Sequence, residues 1–342
     1  MNKHAHIIAE AGVNHNGNMD YAKRLIEIAA NCGADSVKFQ IINPYGLYLP
    51  GDYNYGHYDI KKVIENRFST VLTDEQYRSL NDFSAEKGIA FSGSIFDEKG
   101  LDLLASFNPP YIKIASCDLS NIRLLRQVAE RGIKMILSTG MSTLQEIEKS
   151  LNVLEKANFN NLVLLHCVSI YPCPVEKTNV AFIKVLQDKF GYEVGFSDHT
   201  RTAEAAIAAY AYGARWFEKH FTFDNSLEGF DHKHAQNEEE FTRYISAIRD
   251  IEFSLNPASN KITDAEKYTS ERARRSLYAS RDLPAGHLIS DDDVLCVRPS
   301  AIMNANEIDT LIGSTVSKDI KQYEAFSHSH IKSHESKNSS DM

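Results

Sequence analysis

No stretch of this sequence approaches the roughly 18 apolar residues needed to cross a membrane, and its opening residues do not resemble a signal peptide. Cysteine is scarce: five residues (32, 117, 167, 173 and 296), an odd number without any C-x-x-C spacing. That argues against a disulfide scaffold and for reduced thiols in a cytoplasm. Cys117 and Cys167 read as small buried fillers. Positive charge is also short. Lys and Arg number 37 against 46 Asp and Glu, a formal net charge of −9, which argues against a nucleic-acid groove built on bulk positive potential. A few lysines inside a cavity can still set a local sign suited to an anionic substrate. Repeats of the solenoid kind are absent.

What is present is a rhythm. Eight short apolar runs, each ending in polar or ionisable side chains, recur between residues 5 and 222, most of them separated by segments of helical periodicity. They are Ile7–Glu10, Val37–Gln40, Ala90–Ser94, Tyr111–Ser116, Met135–Thr139, Val163–Cys167, Val194–His199 and Trp216–His220. Buried parallel strands look apolar almost throughout, and a (β/α)8 barrel gathers its chemistry at their C-terminal ends. The 342 residues and 43% hydrophobic content suit such a TIM barrel of about 250 residues with a small appendage. The fold class expected is therefore α/β, with the catalytic barrel over 1–255.

Helices are expected near 19–32, from 74, and at about 98–106, 121–131, 143–157, 178–190, 202–212 and 237–253. Residues 43–72 read as one long loop rich in tyrosine, either a lid over the barrel mouth or a packing loop at a subunit contact. Beyond Leu255 the rhythm changes. Residues 256–272 read as a polar linker, 273–328 as a small β-rich module with short runs bounded by turns, and 329–342 as a frayed polar tail. Histidines 328, 330 and 334, at the end of the module and in the tail, are candidate metal ligands, with a frayed tail as the preferred reading.

Residues two apart on a strand share a face. Lys38 therefore pairs with Gln40, and Glu218 with His220, on faces that only a barrel interior makes economical, because burying a charge costs several kcal/mol unless it is paired or functional. Hydroxyls at neighbouring strand ends (Ser94, Ser116, Ser138, Ser197) join them, and the set suits a phosphate or carboxylate. The competing reading is an internal salt bridge between Lys38 or Lys113 and Glu10 or Glu218. His199 and His220 end adjacent strands and are candidate ligands of a divalent ion with open positions for water and substrate. His232 and His234 are rivals placed in a loop, where contact with substrate or solvent is the simpler expectation. Asp198 reads equally as a ligand or as a group orienting a histidine.

Together these segments resemble the sialic acid synthase family, which makes nine-carbon nonulosonic acids and includes N-acetylneuraminate, legionaminate and pseudaminate synthases. The resemblance runs from about residue 5 to 328. It rests on Ile8–Gly17, Val37–Gln40, Tyr111–Ser116, Leu137–Met141, Leu165–Cys167, Tyr171-Pro172, Ser197–Thr200 and Glu218–Thr222 in this order and spacing. Ser276–Ala279 and Val297–Pro299 resemble the family's antifreeze-like (SAF) domain. The resemblance implies condensation of phosphoenolpyruvate with an open-chain N-acylated amino hexose and release of phosphate. It further implies His199 and His220 as ligands of Mn2+, with Mg2+ or Co2+ as alternatives. Lys38, Ser94, Lys113, Ser116, Ser138 and Ser197 would hold phosphoenolpyruvate, and Glu10 would manage a proton of water. Gln40, Asp118, Ser169, Tyr171 and Asp231 fall on the sugar side. Arg298 would reach over the partner's barrel in a domain-swapped homodimer.

Departures gather on the sugar side. Strand three carries Gly93-Ser94-Ile95-Phe96 where the family has Ser-Thr-Pro-Phe, Asp118 replaces a glutamate, and Gly229–Gln236 departs from Gly-Pro-Asp-His-x-x-Ser. Arg298-Pro299-Ser300 is nearer to pseudaminate synthases, whereas Glu10–Gly17 is nearer to legionaminate synthases. Other readings remain: a Schiff-base aldolase or lyase with Lys113 as nucleophile, or a sugar-binding protein that has kept a vestigial site.

Overall fold

A computed structural model describes residues 4–51, 53–55, 58–255 and 262–332. The chain divides into two compact units, Met1–Asn256 and Pro257–Met342. In the first, eight strands form a closed parallel barrel. They are β1 (His6–Gly12), β2 (Ser36–Ile41), β3 (Ala90–Ile95), β4 (Ile112–Ile114), β5 (Met135–Ser138), β6 (Leu162–Cys167), β7 (Glu193–Asp198) and β8 (Trp216–His220). Each strand pairs with the next, and β8 returns to β1.

These segments become strands because both faces find apolar partners. The outer faces pack under the surrounding helices in one large core, while Ile8, Tyr111, Ile136, Val163 and Leu165 form a separate cluster with Trp216 packed against it. Register sets the height of what lies further along each strand: Glu10 is level with Lys38 on one side and His220 on the other, and Ser94 is level with both Gln40 and Lys113. Helix starts are fixed by side chains that accept orphan backbone N–H groups. Thr73 with Gln76, Thr143 with Glu146 and Asn237 with Glu240 form reciprocal capping boxes.

The structure differs from the sequence reading in three places. Residues 43–72 are not one loop: they contain the helices Pro44–Leu47 and Ile60–Phe68 and a short pairing of Asn54–Tyr55 with Tyr58–Asp59. The Asp59 side chain caps the second helix at the Lys62 N–H, 3.1 Å away, and Ile64 buries its inner face. Within the expected linker, Asp264–Ala273 is a helix opened by a Thr263–Glu266 capping box, yet it buries no residue; residues 256–261 lie outside the described set. The presumed tail is partly structured, since Ile331–Lys332 pairs antiparallel with Thr315–Val316 and His330 is buried. His328 stands on the surface 3.1 Å from Glu307, and His334 lies outside the described residues.

The second unit has its own core of Leu277, Leu283, Ile289, Met303, Leu311 and Phe326, among others. Above it, β9 (Ser276–Ala279) pairs antiparallel with β10 (Val294–Val297). No helix among the described residues is long and apolar enough to cross a membrane.

Candidate active site

At the C-terminal rim of the barrel a cavity of about 320 Å3 is lined by Glu10, Lys38, Gln40, Ser94, Lys113, Ser116, Ser138, Ser169, Tyr171, Ser197, Glu218 and both His199 and His220. Its volume falls in the range of small-molecule sites. All thirteen were singled out from the sequence, twelve with site roles and Glu218 as an inner-face neighbour of His220 and a salt-bridge partner for the lysines.

The floor of the cavity is a quartet of two lysines and two glutamates. Lys38 Nζ contacts the Glu10 carboxylate, donates to Ser94 Oγ at 2.8 Å and lies 3.4 Å from Glu218 Oε2. Lys113 Nζ donates to Ser138 Oγ at 2.7 Å and to the Ile114 carbonyl at 3.1 Å, and stands 3.9 Å from the same Glu218 oxygen. Glu218 also accepts from Ser197 Oγ at 2.7 Å, and Glu10 from Gln40 Nε2 at 3.0 Å. Burial on its own would lower the Lys38 pKa, but Glu10 and Glu218 outweigh it and the net shift is upward. Burial prevails at Lys113 and lowers its pKa, with Glu218 opposing. Burial would raise Glu218, but Lys113 and Lys38 together hold it down at about 2. The internal salt bridges weighed from the sequence are therefore present, and they occupy the same cavity as the hydroxyls. Two ammonium groups and two carboxylates leave this floor formally neutral, a correction to the cationic local sign expected from the lysines alone.

The imidazoles stand to one side. His199 Nδ1 lies 2.7 Å from the Val168 carbonyl, which can only accept, so Nδ1 carries the proton. Burial, then His220, pushes the His199 pKa down to about 3. The Nε2 lone pair of this neutral ring is turned to Ser197 Oγ at 3.3 Å, and a neutral ring is the form a metal requires. The His199 and His220 ring centroids are 5.8 Å apart, and those of His220 and His234 are 5.7 Å apart. Asp231 lies between the latter two, 3.6 Å from His220 Nδ1 and 3.4 Å from His234 Nε2. Both of those ring nitrogens are buried without a hydrogen-bond partner. Unpartnered ring nitrogens beside a carboxylate are a donor set that fits a divalent transition ion. Burial would raise the Asp231 pKa, but His220 and His234 hold it at about 2.

Several residues are placed otherwise than expected. Asp118 does not line the cavity; its carboxylate accepts from Asn121 Nδ2 at 3.0 Å. Asp198 points away from the cavity, where it lies 3.3 Å from Lys219 Nζ and accepts from the Thr200 N–H at 2.8 Å. It neither faces the imidazoles nor orients His199, a task the Val168 carbonyl performs. His232 is wholly buried, 2.7 Å from Thr222 Oγ1 and 3.3 Å from Asn16 Nδ2, so it contacts neither solvent nor the cavity. Cys117 is exposed at the cavity edge rather than a buried filler. Arg298 is exposed in the second unit, with no ion pair among the described residues.

Sequence reasoning assigned no site role to Glu218 and left His234 as a lesser rival. Alternation along β8 already put Glu218 beside His220 on the inner face, and that signal was sufficient. Asn14 and Asn16 were quoted only as motif. Asn14 Nδ2 donates to the Phe221 carbonyl at 2.9 Å and Asn16 Nδ2 to that of Glu228 at 2.8 Å, tying the loop after β1 to the loop after β8. Gly140 keeps the opposite wall thin, since a Cβ there would meet Ser169 Oγ at 2.7 Å and both Cys167 Sγ and Ser116 Oγ at 2.8 Å.

A parallel barrel with an ionised, hydroxyl-lined cavity at its C-terminal rim, followed by a small β-rich unit, has the build of a barrel enzyme. The chain belongs to the NeuB family, whose model matches residues 25–260, and residues 274–332 match the SAF domain. It is 35% identical to an N,N'-diacetyllegionaminic acid synthase of Campylobacter jejuni, covering 93% of this chain and 97% of that protein. It is 34% identical to a pseudaminic acid synthase of the same species, covering 93% and 94%. Among solved structures, an N-acetylneuraminic acid synthetase of Leptospira borgpetersenii in complex with citrate superimposes with a TM-score of 0.71 at 31% identity, covering 78% of this chain and 90% of that one. These relatives are synthases of nonulosonic acids.

Proposed function

We propose that this protein condenses phosphoenolpyruvate with an open-chain 2-acetamido hexose, either N-acetylmannosamine or a 2,4-diacetamido-2,4,6-trideoxyhexose, in a metal-dependent reaction of the cytoplasm. The observation that carries this reading is one cavity in which two buried lysines, four strand-end hydroxyls and neighbouring imidazoles converge. C3 of the enol attacks the aldehyde carbon, water adds at C2, and the C2–O bond to phosphorus-bound oxygen breaks, releasing inorganic phosphate. Mn2+, with Mg2+ or Co2+ as alternatives, held by His220 with His199, supplies a Lewis acid for the aldehyde oxygen when bound.

The chain's own groups do the rest. Lys38 and Lys113, with Ser94, Ser116, Ser138 and Ser197, bind the phosphate and carboxylate through charge-assisted hydrogen bonds strengthened by burial. Glu10, already hydrogen-bonded by Gln40, is placed to take a proton from the attacking water. Gln40, Ser169, Tyr171 and Asp231 face the sugar. In a domain-swapped homodimer, Arg298 of one copy reaches the N-acetyl group at the other's barrel; its exposure and lack of an ion pair among the described residues support that role.

The test is phosphate release with phosphoenolpyruvate and a panel of N-acetylmannosamine, its 6-phosphate and the two diacetamido-trideoxy hexoses. One phosphate per product is expected with one acceptor, abolished by EDTA and restored by Mn2+. A second reading draws on Lys113, whose burial-lowered pKa suits a Schiff-base nucleophile. Trapping by borohydride with a carbonyl substrate, together with indifference to EDTA, would replace the first reading by the second.

A further inference from the structure

We propose that Asp231 and His234 add to the divalent-ion site of His199 and His220, setting a carboxylate and a further imidazole beside His220 in place of a pair of imidazoles alone. The inference rests on the metal-dependent reading above and assigns a ligand role to His234. One ligating atom from each of the three residues lies within 4.8 Å of the others. The two carboxylate oxygens of Asp231 face one imidazole each, Oδ2 at 3.6 Å from His220 Nδ1 and Oδ1 at 3.4 Å from His234 Nε2, separations long for hydrogen bonds. They are close to what one shared ion sets: donors about 2.1 Å from a metal, at tetrahedral or octahedral angles, stand roughly 3.0–3.4 Å from one another. Neither ring nitrogen has another partner. His220, His234 and Asp231, with His199 as a fourth donor, make a nitrogen-and-carboxylate set that suits divalent transition ions and at octahedral coordination leaves room for a substrate oxygen.

The three donors are held in advance. Ala235 N–H donates to the Asp231 carbonyl at 3.0 Å and His234 N–H to the same oxygen at 3.2 Å, which keeps the two side chains one turn apart. Asn225 Nδ2 pins the loop at the His232 and Ala235 carbonyls, both at 2.8 Å. Gly12, at φ +55°, makes room for the carboxylate, since a Cβ there would come within 2.9 Å of Asp231 Oδ2. Ligands fixed before the ion arrives raise affinity by lowering the ordering cost of binding.

The experiment is Mn2+ binding to the metal-stripped full-length protein, read from the electron paramagnetic resonance of the free ion, for wild type, His234→Ala, Asp231→Asn and His234→Cys. A loss of affinity of at least tenfold is expected for both His234→Ala and Asp231→Asn. His234→Cys is expected to shift preference from Mn2+ towards Cd2+, because thiolate favours softer ions, a change that a merely structural or sugar-contacting role would not produce. Circular dichroism of each variant checks folding, and His234→Gln serves if His234→Ala does not fold. Mn2+ affinity of the His234 and Asp231 variants within twofold of wild type, with only the sugar KM raised, would overturn this assignment while leaving the condensation reading intact. Binding of none of Mn2+, Co2+ and Mg2+ by wild type would overturn both.

Discussion

Glu218 lies within reach of both buried ammonium groups and accepts a hydrogen bond from Ser197 as well. Removing its charge would leave Lys38 with Glu10 alone and Lys113 with neutral partners, in surroundings that do not hydrate them. Breaking a buried pair from one side costs about 3 kcal/mol or more. Glu218→Gln is accordingly expected to lower the unfolding free energy of the barrel by that amount, read as a lower urea midpoint with an unchanged slope; a midpoint equal to wild type would show that Glu10 suffices for both lysines. Legibility at this scale followed a simple rule. Period-two alternation gave the inner face of each strand and so found Lys38, Gln40, Ser197, His199 and His220. It could not say which inner side chains meet across the cavity, because that depends on register between distant strands. Asp118 illustrates the limit: its position beyond β4 was read correctly, but the claim of Asn121 on its carboxylate is a contact of a short helical turn that alternation does not encode.

At the scale of elements, the eight strands and most of the helices were legible because each buries a regular apolar face. The helix Asp264–Ala273 was not, and the reason is physical: it buries nothing, so no period marks it, and only its Thr263–Glu266 capping box announces it. The helix Ile60–Phe68 was hidden among tyrosines and glycines for a similar reason, having Ile64 as its one fully buried residue. Strand contacts make sharper demands. Gly195 in β7 faces β8 so closely that a Cβ would come within 2.3 Å of the Trp216 carbonyl and 2.6 Å of Leu165 Cδ2. Backbone cannot yield there without parting β7 from β8. Gly195→Ala is expected to destabilise the barrel by several kcal/mol, on the order of the largest single-site effects, with loss of folded yield or a lowered melting temperature as the readout. A melting temperature within a degree of wild type would show that the two strands separate at little cost.

The whole molecule is two units with separate cores, and each can be perturbed by itself. In the second, Asp293 is fully buried and holds Arg281 Nε at 2.8 Å, His287 Nε2 at 2.8 Å and the Ser290 N–H at 2.9 Å. Burial would raise its pKa, but His287, Ser290 and Arg281 outweigh that and hold it well below the usual aspartate range. Because the folded value is depressed, the stabilisation is complete above the unfolded pKa of about 3.9 and is lost as pH falls through the lower folded value. Asp293→Asn is therefore expected to lower the melting of this unit at pH 7, with the gap from wild type narrowing between pH 4 and pH 2. A gap that persists undiminished at pH 2 would show that the charge contributes nothing. Composition foretold the existence of this unit through its short, turn-bounded runs, whereas the role of Asp293 required seeing Arg281 and His287 fold back onto the local Ser290–Asp293 capping box.

The neutral floor of the barrel carries one more implication. An arriving anion meets ammonium groups already engaged by Glu10 and Glu218, so uptake is an exchange of one oxygen partner for another and not a capture by open positive charge. Little field leaks outward from such a balanced set. Discrimination among small anions then lies in which of them can displace a resident carboxylate and satisfy both lysines at once, and an ill-fitting anion is turned away because the lysines are already partnered.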